Sequence, residues 1–188
     1  MSNQPNNNGA DTQALAILPA AVQTRAAAVS LQEAEAMLPA IRAMWPKDVE
    51  ANPALGRVVA RVALAYGLDP LMNEVIIYQG KPYITIDGRM RKAQDNPKFQ
   101  GMDVRPATEE ERVAYRARED DHLWRCEAWR SDWKRPAVGW GLVRKGDKNF
   151  VAQQTPELIA EKRAKARALR DLFQIPLPSA EDLDGYEA

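Results

Sequence analysis

The chain has 188 residues, 45% of them hydrophobic, which suits one domain with a packed core and is too short for two large ones. Its 26 basic and 26 acidic residues cancel, which excludes a uniformly basic coating protein, so any nucleic-acid site needs local segregation of charge. A single cysteine and a single histidine exclude an intramolecular disulfide and the Cys₄ and Cys₂His₂ zinc sites.

The two ends of the chain differ in composition from the middle. Residues 1–29 begin with an Asn-rich stretch that has little to bury, which predicts a flexible arm whose later part can become helical in an oligomer. Residues 179–188 carry four acidic groups and no cation, which predicts an acidic flexible tail. Residues 30–178 are predicted to form a single domain. No apolar run is long enough to span a membrane and no secretory signal begins the chain, so we expect a cytoplasmic protein.

Helical and strand patterns alternate through the central part. Ser30 and Glu33 form a capping box, with helix breaks expected at Pro39 and Pro46, while Gly67 is placed to end a later helix. The predicted elements are helices over 31–37 and 53–66, strands over 74–79 and 83–86, a helix over 87–95 capped by its first residue, a strand over 99–105, a helix from Thr108 to about 119, strands over 123–130 and 137–145, and a helix over 155–173. This order predicts an α+β fold with a mostly antiparallel sheet of two hairpins plus an extra strand, packed with helices.

Cations gather around the first predicted hairpin. Lys81 lies in its turn, Arg89, Arg91 and Lys92 lie at the start of the following helix, and Lys98 lies beyond that helix. A helix N-terminus favours anions, and nearby cations add to that preference, so these residues are candidates for binding DNA phosphates. A solvated helix face is the alternative interpretation.

The last predicted helix carries a row of arginines. Arg163, Arg167 and Arg170 share one stripe, and Lys162 lies at the other edge of the packing face. Because arginine binds phosphate through a rigid fork, such a row could follow a nucleic-acid backbone. Acidic residues on the same helix leave open a salt-bridged surface helix instead.

Four tryptophans mark the second hairpin: Trp124, Trp129, Trp133 and Trp140. Aromatic rings interleaved with cations are typical of single-strand binders, in which bases stack on the rings. Alternate residues of a strand share a face, so Trp124 and Trp129 point in opposite directions and at least one belongs to the core. Trp133, in the loop, is the best candidate for an exposed platform.

No catalytic motif is evident. The chain lacks a P-loop and a paired-glycine dinucleotide motif, and Asp87, Asp95 and Asp103 show no recognised spacing of metal ligands. His122 begins a strand and is interpreted as a surface residue. We therefore expect a protein that is not an enzyme and uses no cofactor or metal.

Several short motifs follow one another between Ala63 and Phe173. The run from Ala63 to Val75 contains A-x-x-Y-G-L-x-P-x-x-x-E, which resembles the entry motif of the RecT/Red-beta family of phage single-strand annealing proteins. A hairpin, the Ile86-Asp87-Gly88 turn and the stretch from Phe99 to Asp103 follow at the family's spacing, and the basic helix over 161–173 is also similar. The chain is shorter than typical members after Phe173, and its Trp-rich hairpin has no aligned equivalent.

The resemblance implies a Rad52-like annealing core that pairs complementary single strands without ATP during recombination in a bacterial host. It also implies rings or helical filaments of this chain, single-stranded DNA and an annealed duplex intermediate as ligands, and a partner exonuclease or host single-strand binding protein. Two alternatives stay open: a module that protects single-stranded DNA or RNA without annealing it, and a metal-dependent repair nuclease.

Overall fold

The computed structural model describes residues 15–147 and 150–182, and the first fourteen residues of the predicted arm lie outside this range. Within these residues lie eight α-helices: α1 (Ala20–Ala27), α2 (Leu31–Met44), α3 (Pro46–Ala51), α4 (Pro53–Tyr66), α5 (Ile86–Gln94), α6 (Glu109–Ala114), α7 (Phe150–Gln154) and α8 (Pro156–Phe173). Five strands accompany them: β1 (Val75–Tyr78), β2 (Lys81–Ile84), β3 (Phe99–Pro106), β4 (His122–Arg130) and β5 (Ala137–Val143). The predicted α+β class is confirmed.

The strands form two separate antiparallel sheets and not the one sheet that the sequence predicts. β1 pairs only with β2, whereas β3, β4 and β5 form a three-stranded sheet in that order. Contacts also group the chain into two compact units, the first comprising residues 1–84 with 176–178 and the second residues 85–175 with 179–188. A two-stranded sheet has few cross-strand pairs, so it depends on packing against other elements of its own unit.

In the first unit, helices α1 to α4 pack together and the β1–β2 hairpin joins them. The predicted capping box of α2 is confirmed, since the Ser30 hydroxyl accepts from the Glu33 amide at 3.2 Å. The break expected at Pro39 is wrong, because α2 continues through this residue to Met44. Pro39 is exposed, so water can satisfy the carbonyl that loses its helical partner, while the buried Ala34 and Ile41 keep α2 packed.

The motif that follows α4 adopts the predicted turn. Gly67 ends α4 in the left-handed conformation, and the Leu68 amide closes the helix by donating to the Ala63 carbonyl at 2.7 Å. The β1–β2 hairpin then turns over Gln79 and Gly80, which have φ values of 47° and 72°. Two left-handed residues match the twist of a tight hairpin, so the predicted antiparallel pairing is confirmed.

In the second unit, α8 covers one face of the three-stranded sheet at unusually short range. A Cβ atom placed on Gly139 would lie 2.1 Å from the Ala164 carbonyl oxygen, and one on Gly141 would lie 1.8 Å from that of Ala160. Glycines on β5 and alanines four residues apart on α8 therefore let the strand and helix backbones touch. Alternate β5 residues face away from α8, and this other side of the sheet is called the outer face.

Two helix boundaries of the second unit differ from the sequence predictions. The N-cap of α5 is Thr85, whose hydroxyl accepts from the Gly88 amide, and Asp87 lies inside the first turn. The predicted capping box of Thr108 and Glu111 is confirmed, but α6 ends at Ala114 and not near residue 119. Arg116 has a φ of 52°, a left-handed conformation that stops the helix.

The end of the chain partly joins the second unit. The sequence predicts a flexible tail from Ser179 onward. In the structure, Ser179, Ala180 and Glu181 are buried instead, and a 3₁₀ turn covers Ala180–Asp182. The Glu181 carboxylate accepts from the Ile86 amide at the start of α5 at 2.6 Å. The later tail residues lie outside the described part. None of the helices described is long and apolar enough to cross a membrane.

Candidate nucleic-acid interface

The arginine row of α8 is directed largely at the protein itself. β5 is an edge strand, so part of its backbone has no neighbouring strand to bond to. Arg163 donates from Nη1 to the Leu142 carbonyl at 3.0 Å, and Arg167 donates from Nη1 to the Trp140 carbonyl at 2.7 Å. Two arginines one helical turn apart thus cap two carbonyls of the edge strand.

Arg163 is the most enclosed member of this row. Its side chain also donates to the Glu181 carbonyl at 2.8 Å and pairs with the Asp147 carboxylate at 3.1 Å, and only 7% of the residue is exposed. A guanidinium with three protein acceptors and almost no exposed surface cannot also bind a phosphate in this conformation. In this conformation Arg163 therefore does not contribute to the phosphate-binding row predicted from the sequence. The sequence could not indicate this, because helical periodicity does not show which carbonyls a side chain reaches.

The rest of the predicted α8 set is more accessible. Arg167 and Lys162 are half-buried. Arg170 lies in the last turn with 42% of its side chain exposed, and its Nε is 3.7 Å from an Asp171 carboxylate oxygen. Arg170 is thus the member of the row best placed to meet a ligand.

The cations predicted around the first hairpin belong to both units, and those in the second unit do not form one group. Arg89 is 1% exposed and donates to the Ser179 hydroxyl and the Ile175 carbonyl, at 3.2 and 3.3 Å, so it holds the end of the chain onto α5. Arg91 and Lys92 both pair with Asp95, at 3.0 and 3.4 Å. Lys81 is exposed on β2, which belongs to the first unit.

A different group of cations meets at the turn between β4 and β5. Lys98 and Arg130 share the Asp132 carboxylate, at 2.8 and 2.9 Å. Trp133 follows in the turn, 40% exposed, with the Arg130 guanidinium 5.6 Å from its ring centroid. The predictions that Trp133 lies in a loop and is exposed are confirmed.

The same turn continues with two further cations, Lys134 and Arg135, which are both exposed. We call Lys98, Arg130, Trp133, Lys134 and Arg135 the hairpin-end patch. It carries four cations against one carboxylate, Asp132, and so provides the local charge segregation that a neutral chain needs.

The far end of α8 braces this patch. Arg130 donates from Nη1 to the Leu172 carbonyl at 2.9 Å, and its guanidinium lies 5.6 Å from the Phe173 ring centroid. Phe173 in turn packs edge-on against Phe99 of β3, with their centroids 5.9 Å apart. Arg130 is therefore fixed in place beneath Trp133, close to the helix turn that carries Arg170.

The Asp132 carboxylate restrains two cations of the patch, Lys98 and Arg130. The hydrogen bonds from Lys98, and then from Arg130, lower its pKa to about 2, so it stays ionised at any pH at which DNA binding is normally measured. Asp132 positions the two cations and also competes with phosphate for them.

Some residues of the candidate interface are absent from the set of DNA-binding residues predicted from the sequence. Lys98, Trp133 and Arg170 are in the predicted set, whereas Arg130, Lys134 and Arg135 are not. The signal was present as a basic run directly after Trp133, whereas the contact that joins Lys98 to this run through Asp132 depends on the pairing of β3 with β4.

The four tryptophans occupy different surroundings, as their spacing predicts. Trp124 packs against the core between the sheet and α8. Trp140 lies on the outer face, where the Tyr115 ring covers it with a centroid distance of 4.4 Å and an interplanar angle of 35°. Trp129 shares this outer face by strand alternation.

The opposite end of the same sheet holds a cleft of about 620 Å³. Its lining includes His122, Arg144 and Lys145 together with the acidic residues Asp120 and Asp121. Asp121 is buried and joins the turn before β4 to the end of β5. Burial raises its pKa, but hydrogen bonds from the Arg118 and Lys145 amides and the charge of Arg144 outweigh this effect and hold the pKa below its ordinary value.

The described ranges offer little for nucleophilic or metal chemistry. Burial raises the pKa of the Cys126 thiol to about 12, so this residue is an inert part of the sheet interior at neutral pH. Across residues 15–147 and 150–182 no group of three or more His, Cys, Asp or Glu residues is arranged to hold a metal ion.

Comparison with known proteins does not place the chain. No protein-family model matches it, and no curated protein is similar to it at a significant level.

Proposed function

We propose that this protein binds single-stranded DNA without sequence preference and anneals complementary strands without ATP, in phage-type recombination, as a non-enzymatic protein with a Rad52-like annealing core. The hairpin-end patch is the observation that carries this proposal: an exposed tryptophan stands on a fixed arginine among four cations. Single-strand binders that tolerate any sequence combine these two elements, a ring for a base and cations for phosphates. The motif order between Ala63 and Asp103 supports the annealing role.

The mechanism follows from what the patch offers a strand. Lys98, Lys134 and Arg135 neutralise neighbouring phosphates, and Trp133 stacks against one base. Backbone contacts position a strand without reading its sequence, so the Watson–Crick edges of the other bases stay free. A complementary strand can then pair, and base pairing supplies the specificity.

The proposal includes further copies of this chain. A patch of five residues contacts only a few nucleotides, so repeated copies in a ring or helical filament would extend it along a longer strand and its duplex intermediate. A partner exonuclease that supplies single strands, or a host single-strand binding protein, would act beside it in the bacterial cytoplasm.

The decisive experiment measures the rate at which two complementary oligonucleotides, one of them labelled, form a duplex in the absence of ATP. It compares this rate with and without the protein. We expect faster formation of duplex, and no cleavage when Mg²⁺ or Mn²⁺ is added. Protection of the strand without faster pairing would instead support a simple single-strand or RNA-binding module. Cleavage in the presence of metal would support the nuclease alternative.

Removal of two exposed cations tests where the strand binds. The double change Lys134→Gln and Arg135→Gln should weaken binding and reduce the slope of log affinity against log salt by about 1.4, since each single-strand phosphate contact contributes about 0.7. The matched control is Arg144→Gln with Lys145→Gln, which removes the same charge at the opposite end of the sheet. An equal loss of slope in this control would contradict the assignment to the hairpin-end patch.

Asp132→Asn should strengthen single-strand binding. The change removes the carboxylate that Lys98 and Arg130 share, so both cations become available to phosphate. We expect a several-fold higher affinity at low salt and a steeper salt dependence, measured by fluorescence anisotropy of a labelled oligonucleotide. Weaker binding would mean that positioning of the two cations by Asp132 outweighs its competition with phosphate.

A further inference from the structure

The outer face of the three-stranded sheet carries an aromatic pair that the hairpin-end patch does not use. Tyr115, just after α6, packs on Trp140 of β5 with ring centroids 4.4 Å apart. Tyr115 is 44% exposed, whereas Trp140 beneath it is half-buried. One ring supports the other, and the upper ring is open to solvent.

Ion pairs between α6 and the sheet hold this aromatic pair in place. Glu111 of α6 accepts from both terminal nitrogens of Arg105 on β3, each at 2.8 Å, and lies 3.4 Å from Nε of Arg125 on β4. The Arg125 guanidinium is in turn 5.6 Å from the Trp140 ring centroid. Side-chain hydrogen bonds from Arg105 lower the pKa of Glu111 to about 2, so the clasp that holds α6 and Tyr115 on the sheet persists at neutral pH.

The charges of this face indicate what it can bind. The charged residues named on this face are two arginines, Arg105 and Arg125, and three carboxylates, Asp103, Glu111 and Glu127. This set has no excess of cations and gives no strong attraction for phosphate, so the hairpin-end patch is the better phosphate site. What the outer face adds is a supported aromatic plane with a guanidinium beside it, which suits a flat, uncharged nucleobase.

A protein partner fits this face less well. Beyond the two rings, the exposed apolar residues of α6 and β5 are Val113 and Val138, and the same region carries the ion-paired side chains of Glu111, Arg125 and Glu127. A stable protein interface buries about 800 Å² on each side, and here it would have to bury those ions as well. A single base needs only the ring.

The geometry points to Tyr115, supported by Trp140, as a stacking platform for one base of a bound single strand. This inference rests on the proposed single-strand binding and adds a second contact to it. Arg125, paired with Trp140, and Arg130, beneath Trp133, are five residues apart on β4, about 17 Å along the strand, and their side chains lie on opposite faces of the sheet. A strand that touches both rings would therefore pass around the end of the hairpin and span several nucleotides.

A matched pair of substitutions tests the platform. Tyr115→Phe keeps the ring, and Tyr115→Ala removes it; because Tyr115 is exposed and lies just after the end of α6, both variants should fold. Loss of one base–aromatic stack should weaken binding of a thymidine oligonucleotide about tenfold in Tyr115→Ala, and Tyr115→Phe should bind as the unchanged protein does. On an oligonucleotide of abasic sugar-phosphate units, the two variants should bind equally.

The outcomes separate this inference from the proposed function. If the unchanged protein does not bind the thymidine oligonucleotide, the proposed function itself fails. If it binds, but Tyr115→Ala and Tyr115→Phe have the same affinity, the platform alone is overturned. It is also overturned if Tyr115→Ala keeps its affinity and loses self-association in sedimentation, which would make the pair a contact between copies of this chain.

Discussion

Gly141→Ala is expected to lower the free energy of unfolding of the second unit by about 3 kcal/mol, the upper part of the range for overpacked cores. The new Cβ would lie 1.8 Å from the Ala160 carbonyl oxygen and 2.6 Å from the Ala164 amide nitrogen. Both are backbone atoms of α8, so no rotation of a side chain can relieve the clash. Helix and sheet would have to move apart, which also opens space in the core around them.

Denaturant unfolding followed by tryptophan fluorescence measures this effect, because four of the five tryptophans belong to the second unit. Gly146→Ala is the matched control: its φ of 84° costs about 1 kcal/mol for alanine, but nothing lies within 4 Å of the added Cβ. A second change, Ala160→Gly, should not rescue Gly141→Ala, because the clash is with backbone and not with the alanine methyl. Rescue, or a loss no larger than that of Gly146→Ala, would contradict the close packing described here.

The local signals in the sequence predicted most elements of this fold. Both capping boxes, at Ser30 and Thr108, and the left-handed stop at Gly67 are formed as the sequence indicates. Such signals act over three or four residues, so one sequence is enough to interpret them. Pro39 shows where this fails: the cost of a helical proline depends on whether its turn faces solvent, and that is a property of the packed unit.

Long-range pairing accounts for what the sequence could not supply. No local sequence pattern indicates that β1 and β2 form their own sheet, or that Gly139 and Gly141 meet the backbone of α8. The candidate site depends on the same kind of information. Lys98 and Asp132 are 34 positions apart and meet only because β3 pairs with β4.

Arg163 shows most clearly how a local sequence pattern differs from the packed structure. Its replacement by methionine is the second substitution for which we expect a large loss of stability. Helical periodicity places Arg163 with Arg167 and Arg170, as a group for binding phosphates. The structure gives it a largely buried ion pair with Asp147, whose side chain is 15% exposed, and hydrogen bonds to the Leu142 and Glu181 carbonyls. Arg163→Met keeps much of the volume but removes all three contacts.

The expected loss is about 3 to 5 kcal/mol, as for other buried ion pairs from which one partner is removed. Arg170→Met, in which 42% of the original side chain is exposed, should change stability by no more than about 0.5 kcal/mol. Adding Asp147→Asn to Arg163→Met should recover part of the loss, because the carboxylate is no longer buried without this cation. Unfolding midpoints of the single and double variants measure both effects.

Binding measurements complete the test of Arg163. Where the variant is still folded, at low temperature and without denaturant, Arg163→Met should bind single-stranded DNA with the same salt dependence as the unchanged protein, since a buried guanidinium releases no phosphate counterions. Arg170→Met should show the opposite combination, with unchanged stability and a salt slope reduced by about 0.7 if it contacts one phosphate. An Arg163→Met variant that is as stable as the unchanged protein but loses its salt-dependent binding would restore the arginine row of α8 as a phosphate-binding surface and remove its structural role at the edge of β5.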